Sequence, residues 1–423
     1  MIDEISFLKN RKFFRKKYFI NNDLFFSPIL VLPLVLVIIS SVLIHSVQQN
    51  SMQSDSINHF ITGLIGYSLA IIISFIPLER IKNFVFPLYL ISIITLILLF
   101  FFGISISGAQ RWLSLGFVTF QPSEVAKLTT LLALAFVLDR KNINKINDLF
   151  IPLFVVSIPW ILIFFQPDLG TSLVLIFLFF IMLYWAQMPV EWILIIVLCL
   201  PTAVISFFSP SILFMWIPFM GFLAYKSFRN KRTFFFLAIF LHTSVAKLTP
   251  YLWNVGLQDY QKDRLILFLD PGKDPLGGGY HLLQSKIAIG SGGIFGTGLL
   301  QGKLTNLQFI PEQHTDFVFS ALGEELGLLG AFFITIIFFV LIIKLTRIAK
   351  NARTDFESLV VIGIVSIFLF QIIINIYMTI GLGPVTGIPL PFMSYGRTAL
   401  LINFVLIGLA LSTLKRCRSL KKT

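Results

Sequence analysis

Residues 149–186 read LFIPLFVVSIPWILIFFQPDLGTSLVLIFLFFIMLYWA. Two apolar runs, 149–166 and 170–186, stand on either side of QPDLGT at 166–171. A helix needs ~20 mainly apolar residues to cross a bilayer. Two such runs with only a tight polar turn between them read as a pair of antiparallel membrane spans. Working outward, the same pattern recurs at 27–47, 58–77, 84–103, 122–138, 191–208, 211–226, 233–249, 314–343, 358–380 and 396–414. The expected fold is therefore all-α, a polytopic transmembrane helical bundle of about twelve spans. Composition agrees. Of 423 residues, 57% are hydrophobic, only 13% are charged and 47 are Phe, far from a soluble domain. The strand alternation of an outer-membrane barrel is absent.

The net charge of +13 is distributed by topology. Six cations lie between Lys9 and Lys17, followed by Arg80 and Lys82, then by Arg140, Lys141 and Lys145. Further clusters are Lys226, Arg229, Lys231 and Arg232, and then Lys344, Arg347, Lys350 and Arg353. Lys415, Arg416, Arg418, Lys421 and Lys422 close the chain. With twelve spans, all of these segments fall on one side, which the positive-inside rule makes the cytoplasm. The expected order is a basic cytoplasmic tail at 1–23, a transmembrane domain at 24–414 and a second basic tail at 415–423. Topology and anionic lipid account for the basic excess, so nucleic acid is not an expected partner. The first apolar run is too long for a signal-peptide core and lacks a small-residue cleavage site, so it reads as an uncleaved span. Cys199 and Cys417 sit at different depths and form no disulfide. Neither a Cys/His zinc cluster nor a P-loop is present.

The opposite side receives 104–121, 166–170, 250–313 and 381–395, and these segments hold nearly all the polar motifs. The first contains Arg111 beside Trp112. Trp is a common interfacial belt residue, whereas a cation next to an aromatic ring can hold a phosphate or a sugar. QPSEVAKL then opens the fourth span. Glu124 and Lys127 are three residues apart and share a helix face. Intramembrane ions pair or line a wet cavity, so this is either a structural ion pair or part of a functional site. Asp168 in QPDLGT is placed to cap the following helix, with Thr171 nearby.

The large loop at 250–313 holds two aspartates in similar settings, Asp270 in DPGKDP and Asp274 in DPLGGGYH. Local mechanics choose neither as a base, since Asp before Pro is also an ordinary turn starter. QSKIAIGSGGIFGTG follows, with Gln284, Ser285 and Lys286 and glycines whose N–H groups could cradle phosphate. PEQHTDF supplies His314 as a proton or phosphate partner, with Thr315 and Asp316 as helix caps. Glu324 and Glu325 lie deeper, and at least one must face protein or water. PLPFMSYGR places Ser394, Tyr395 and Arg397 at the entrance of the last span.

Taken together and in order, GAQRWL, QPSEVAK, QPDLGT, DPLGGGYH, QSKIAIGSGG, PEQHTDF and PLPFMSYG closely resemble the SEDS family (shape, elongation, division and sporulation), in particular its RodA-type members. The resemblance runs through nearly the whole chain. It implies a peptidoglycan glycosyltransferase of the bacterial inner (cytoplasmic) membrane that polymerises lipid II on the outer face during cell elongation and releases undecaprenyl diphosphate. It also implies a class B penicillin-binding protein as partner within the elongation machinery. By the resemblance Asp274, and not Asp270, is the catalytic loop aspartate. Arg111, Trp112, Lys286, His314, Ser394 and Arg397 become substrate-binding candidates, and Glu124, Lys127 and Asp168 a cavity ion network. A divalent cation, Mg or Mn, is a candidate cofactor with no ligand set in the sequence. The family usually has ten spans, so 191–249 is expected to add two. Lipid II transport by a flippase and scaffolding of the wall-synthesis complex are the alternative functions.

Overall fold

Proline, acidic or hydroxyl side chains open several of the long helices. Pro28 begins α1 (Pro28–Val47) and Pro122 begins α5 (Pro122–Arg140), where the missing proline N–H costs little. Between them lie α2 (Asp55–Ser74), the short α3 (Leu78–Lys82) and α4 (Val85–Phe102). After α5 come α6 (Phe150–Phe165), α7 (Leu169–Trp185), α8 (Val190–Val197), α9 (Cys199–Phe208), α10 (Leu213–Ser227) and α11 (Lys231–Tyr251). The remainder is α12 (Asp259–Leu269), α13 (Gly278–Ser291), α14 (Lys303–Asn306), α15 (Val318–Asn351), α16 (Asp355–Thr379) and α17 (Arg397–Ser419). Thr354 caps α16 by accepting the Glu357 N–H at 3.2 Å. The computed structural model describes residues 27–48, 55–106, 109–114, 119–140, 143, 146–228, 230–256, 259–270, 278–306 and 314–419.

Every expected span has a helical counterpart, with α8 and α9 together forming the one expected at 191–208. Nine of the described helical segments are long and apolar enough to cross a bilayer. The other three counterparts are α5, α7 and α10. The protein is thus a polytopic helical membrane protein. Its surface carries side chains such as Phe101 and Phe214, 75% and 86% exposed. These match hydrocarbon as a solvent and would aggregate a protein in water.

The bundle has a centre and a rim. In the most apolar stretches of α16 and α17, 72% of residues are buried, against 17% for α8–α9 and 11% for α11 with its extension. The rim helices α8–α11 pack mainly on one another around Ile195, Ala224, Phe228 and Ala238. They are tied by Thr202, which bonds His242 at 2.6 Å and accepts from Trp216 at 2.8 Å. Such bonds join helices where lipid leaves polar groups no other partner.

One end of the bundle collects ion pairs. Lys82 pairs with Asp139 at 2.5 Å and lies 5.2 Å from the Phe356 ring centre. Arg416 pairs with the buried Glu357 at 3.0 Å. These contacts gather the α2–α4 turn, the ends of α5 and α17 and the start of α16, as the charge pattern requires. The polar motifs gather at the other end.

Two parts of that polar end differ from the sequence reading. Residues read as a loop at 104–121 form a three-stranded antiparallel sheet, β1 (Ile104–Ile106), β2 (Ala109–Ser114) and β3 (Thr119–Phe120), in the order β1-β2-β3. Trp112 is opposite Ile104, and Leu113 is opposite Phe120. Ile104 and Ile106 alternate with Ser105 in β1, as a strand requires, but β2 does not alternate, since Trp112 and Leu113 are neighbours.

The second difference lies in the glycine-rich turn after α13. Helix α15 is broken at Gly327, whose φ of 65° and ψ of −164° no helix contains. The turn is threaded into the break. Thr297 and Gly298 donate their N–H groups to the Glu324 and Glu325 carbonyls at 2.9 and 3.1 Å. Leu328 and Leu329 donate in return to Gly293 and Ile294 at 3.0 and 3.1 Å. The N–H groups expected to cradle phosphate are therefore spent elsewhere: those of Gly292, Gly293 and Gly296 inside the turn, and those of Thr297 and Gly298 on the broken helix, whose freed backbone needs partners inside a membrane. Below the break, Glu324 accepts from the Leu304 and Thr305 N–H groups, both at 2.9 Å, and Glu325 accepts from Ser46 of α1.

This packing explains the glycines one by one. A Cβ on Gly292 would overlap the Gly323 carbonyl oxygen, whereas one on Gly290 would meet nothing within 4 Å. Gly292→Ala is expected to lower stability by ~1–3 kcal/mol through overpacking. Gly290→Ala, inside a helix, should raise it by roughly 0.5–1 kcal/mol. Thermal unfolding in nanodiscs checks the contrast, and equal melting temperatures would refute the threaded turn.

Candidate functional site

Asp274 and residues 271–277 around it lie outside the described residues. The structure shows what holds the two ends of that link. On the near side, Asp270 is exposed just beyond α12. Arg264 of α12 donates to the Thr386 carbonyl at 3.2 Å. On the far side, Ser285 of α13 donates to the Thr379 carbonyl and shares a hydrogen bond with Ser320, both at 2.6 Å. Both anchors reach the end of α16 and the segment that follows it. Lys286, the next residue, is exposed, and its methylenes pass over Gly381 so closely that any side chain there would overlap them. That overlap is with the flexible end of Lys286, which can move aside, so it is the Gly381 φ of 79° that favours glycine.

A second group of residues is assembled by the sheet and by α5 and α7. Arg111 on β2 donates its guanidinium to the Pro167 carbonyl. Trp112 beside it is half-buried. Asp168 caps α7 as expected, accepting from the Thr171 N–H at 3.2 Å and the Thr171 hydroxyl at 2.9 Å. Its other link runs to α5, where the Ser123 hydroxyl donates to it at 3.3 Å. The next residue, Glu124, pairs with Lys127 at 2.7 Å, both side chains being 3% exposed. Three separate contacts, Arg111 to Pro167, Ser123 to Asp168 and Lys127 to Glu124, are joined through chain neighbours, with Ser123 as a link that the sequence did not single out.

A third group surrounds the entrance of α17. The His314 carbonyl accepts the Tyr395 N–H at 2.9 Å, and their rings lie 5.8 Å apart. The Tyr395 side chain bonds both Asp55 and Arg397. Burial, and then the Asp55 carboxylate, push the Tyr395 hydroxyl up, so it stays protonated and can donate at neutral pH. Ser394 is buried, and its hydroxyl accepts the Leu390 N–H at 2.8 Å. Its observed partner is its own turn.

The segment between α16 and α17 connects all three groups. Thr386 and Ile388 lie against Gly170, where a Cβ would come 3.1 Å from the Thr386 oxygen. Asn375 of α16 donates to the Asp316 and Ile388 carbonyls at 2.9 and 2.8 Å. Asn375 was missed in the sequence, where Arg264 counted only as one of the charges of the large polar loop. The available signal was an amide inside an otherwise apolar span, which must find partners there. Among the described residues no group of three or more His, Cys, Asp or Glu is arranged to hold a metal ion.

The family model that matches the chain is FTSW_RODA_SPOVE, "Cell cycle protein", over residues 21–240 and 211–419. The chain is 34% identical to the peptidoglycan glycosyltransferase MrdB of Escherichia coli K12, covering 85% of each chain. It is 30% identical to the peptidoglycan glycosyltransferase RodA of Treponema pallidum, covering 84% of this chain and 88% of that one. One similar solved chain comes from work on polymerization and crosslinking by a peptidoglycan synthase complex. It has a TM-score of 0.69 at 25% identity, over 92% of this chain and 97% of that one. The rod shape determining protein RodA of Thermus thermophilus shares the fold, with a TM-score of 0.60 at 23% identity over 92% and 96% of the two chains. The chain belongs to the FtsW/RodA/SpoVE family, the SEDS family that its motifs resemble.

Proposed function

We propose that this chain is a RodA-type peptidoglycan glycosyltransferase that polymerises lipid II at the outer face of the cytoplasmic membrane. The observation that carries the reading is the end-to-end match to a relative named for that activity, at 34% identity over 85% of both chains. The geometry suits it. The sequence places Asp274 in the link between α12 and α13, and both helices are anchored to the end of α16 and the segment after it.

In the proposed reaction the GlcNAc 4-hydroxyl of one lipid-linked precursor attacks the anomeric carbon of the MurNAc on another. The new C–O bond forms as the bond to diphosphate breaks, and undecaprenyl diphosphate leaves with the electron pair. Asp274 takes the hydroxyl proton, and a positioned carboxylate base contributes ~10²–10⁴-fold. Attack opposite an α-linked diphosphate inverts the centre once and gives a β-linkage. Arg111, Lys286 and Arg397 supply positive charge toward the leaving group, as a Mg or Mn ion held there would also do. The basic end of the bundle faces the cytoplasm in this reading. A class B penicillin-binding protein is the proposed partner that crosslinks the product.

The test uses purified full-length protein in liposomes with lipid II in the outer leaflet. Glycan strands are expected. Lipid movement between leaflets without polymer would replace this reading with transport. Loss of polymer in EDTA, restored by Mg or Mn, would assign the charge compensation to a divalent ion. Activity unchanged in EDTA would leave that role to the three cations.

A further inference from the structure

Three buried acceptor atoms at the polar end have no hydrogen-bond partner among the described residues: Glu124 Oε2, Gln371 Oε1 and Asn375 Oδ1. Each residue is at most 2% exposed. For Asn375 the assignment is fixed by its surroundings. Its amide nitrogen serves the Asp316 and Ile388 carbonyls, so the oxygen must be the atom left over.

The helix packing puts two of these atoms, those of Glu124 and Gln371, on one interface. Helices α5 and α16 run antiparallel, since Asp139 and Glu357 mark the charged end and Glu124 and Asn375 the polar end. Gly363 sets their register, because a Cβ there would lie 2.8 Å from Leu131 Cγ. From that contact, Gln371 is eight residues along α16 and Glu124 seven residues back along α5. At 1.5 Å per residue both lie about 10–12 Å toward the polar end, at one depth. Glu124 shares the face of Leu131, two turns away. On α16, Phe370 turns to Phe177 of α7 and Phe368 to Phe392, at 5.0 and 5.3 Å between ring centres. The face between those two, which Gly363 borders, carries Gln371 toward α5, whereas Asn375 lies one turn beyond and turns to the Asp316 and Ile388 carbonyls.

Acceptors of this kind are costly to bury without a donor, and two that face each other at one depth call for a shared donor. With Lys127 already compensating the Glu124 charge, the complement is neutral. We propose that Glu124 and Gln371 form a subsite for hydroxyl donors, filled by ordered water or by a sugar hydroxyl of the bound substrate. The sugar arm rests on the glycosyltransferase reading; the water arm does not. Gln371 then serves either as a substrate contact or, through a bridging water, as a positioning residue for the Glu124 carboxylate.

The test measures KM and kcat for lipid II in liposomes with Gln371→Met and Gln371→Asn, together with a high-resolution structure of the resting full-length protein. A sugar hydroxyl predicts a KM raised at least fivefold in Gln371→Met, kcat within twofold and no rescue by Asn. Water predicts an unchanged KM, a kcat lowered at least fivefold and recovery in Asn, whose shorter amide a water can still reach. It also predicts density within about 3.2 Å of Gln371 Oε1 and Glu124 Oε2. Unchanged KM and kcat in both variants would overturn the subsite. If the wild type makes no glycan, the function reading fails. The resting structure then decides the subsite alone, a dry interface overturning it and a bound water upholding it.

Discussion

Asp274→Asn is expected to abolish glycan polymerisation while the protein still folds and still binds its precursor and its partner. The amide keeps the size and the polarity of the carboxylate but cannot accept the proton of the attacking hydroxyl. A general base contributes ~10²–10⁴-fold, so residual polymer should fall by at least the lower figure. The link that carries Asp274 joins α12 to α13, and neither anchor depends on the carboxylate. Arg264 holds α12 to Thr386, and Ser285 holds α13 to Thr379 and Ser320. Asp270→Asn is the matched control, because Asp270 is exposed at the end of α12 and the family resemblance gives it no role. Gel analysis of labelled lipid II products reads both variants. Normal glycan length and yield from Asp274→Asn would sink the base assignment, and loss of product from Asp270→Asn would move it.

Much of the fold was legible because a bilayer is a simple solvent. Length and apolarity decide a span, and each apolar run of the chain became a helix. The charge pattern also carried further than local mechanics could. It grouped the α2–α4 turn with the ends of α5 and α17, and Arg416–Glu357 and Lys82–Asp139 now join those segments. The Asp168 cap was readable because Thr171 stands three residues away, which is local geometry. What stayed illegible depended on long-range backbone pairing. The break at Gly327 and the turn at 292–298 complete each other from positions about thirty residues apart. A glycine-rich turn on its own looks like a phosphate cradle. Only the opposing carbonyls of Glu324 and Glu325 show where the Thr297 and Gly298 N–H groups go. Ser394 is a different case, since its hydroxyl accepts the Leu390 N–H four residues away, a local bond.

Lys127→Met is expected to give the largest loss of stability of any single substitution at the polar end. Glu124 Oε1 has the Lys127 ammonium at 2.7 Å, and both side chains are 3% exposed. Removing one partner of a buried pair leaves an uncompensated charge and costs ~3–5 kcal/mol. The double variant Lys127→Met/Glu124→Gln removes both charges. It should recover most of that loss, because a neutral pair is no harder to bury than the ion pair it replaces. Thermal unfolding in nanodiscs measures both, and a Lys127→Met protein that melts with the wild type would refute the buried pair. Polymerisation then separates the two roles that the sequence left open. If the double variant regains stability and also makes glycan, the pair only holds α5 in place. If it regains stability and stays inactive, the charges themselves act in the cavity, in line with their place beside the contacts of Arg111 with Pro167 and of Ser123 with Asp168.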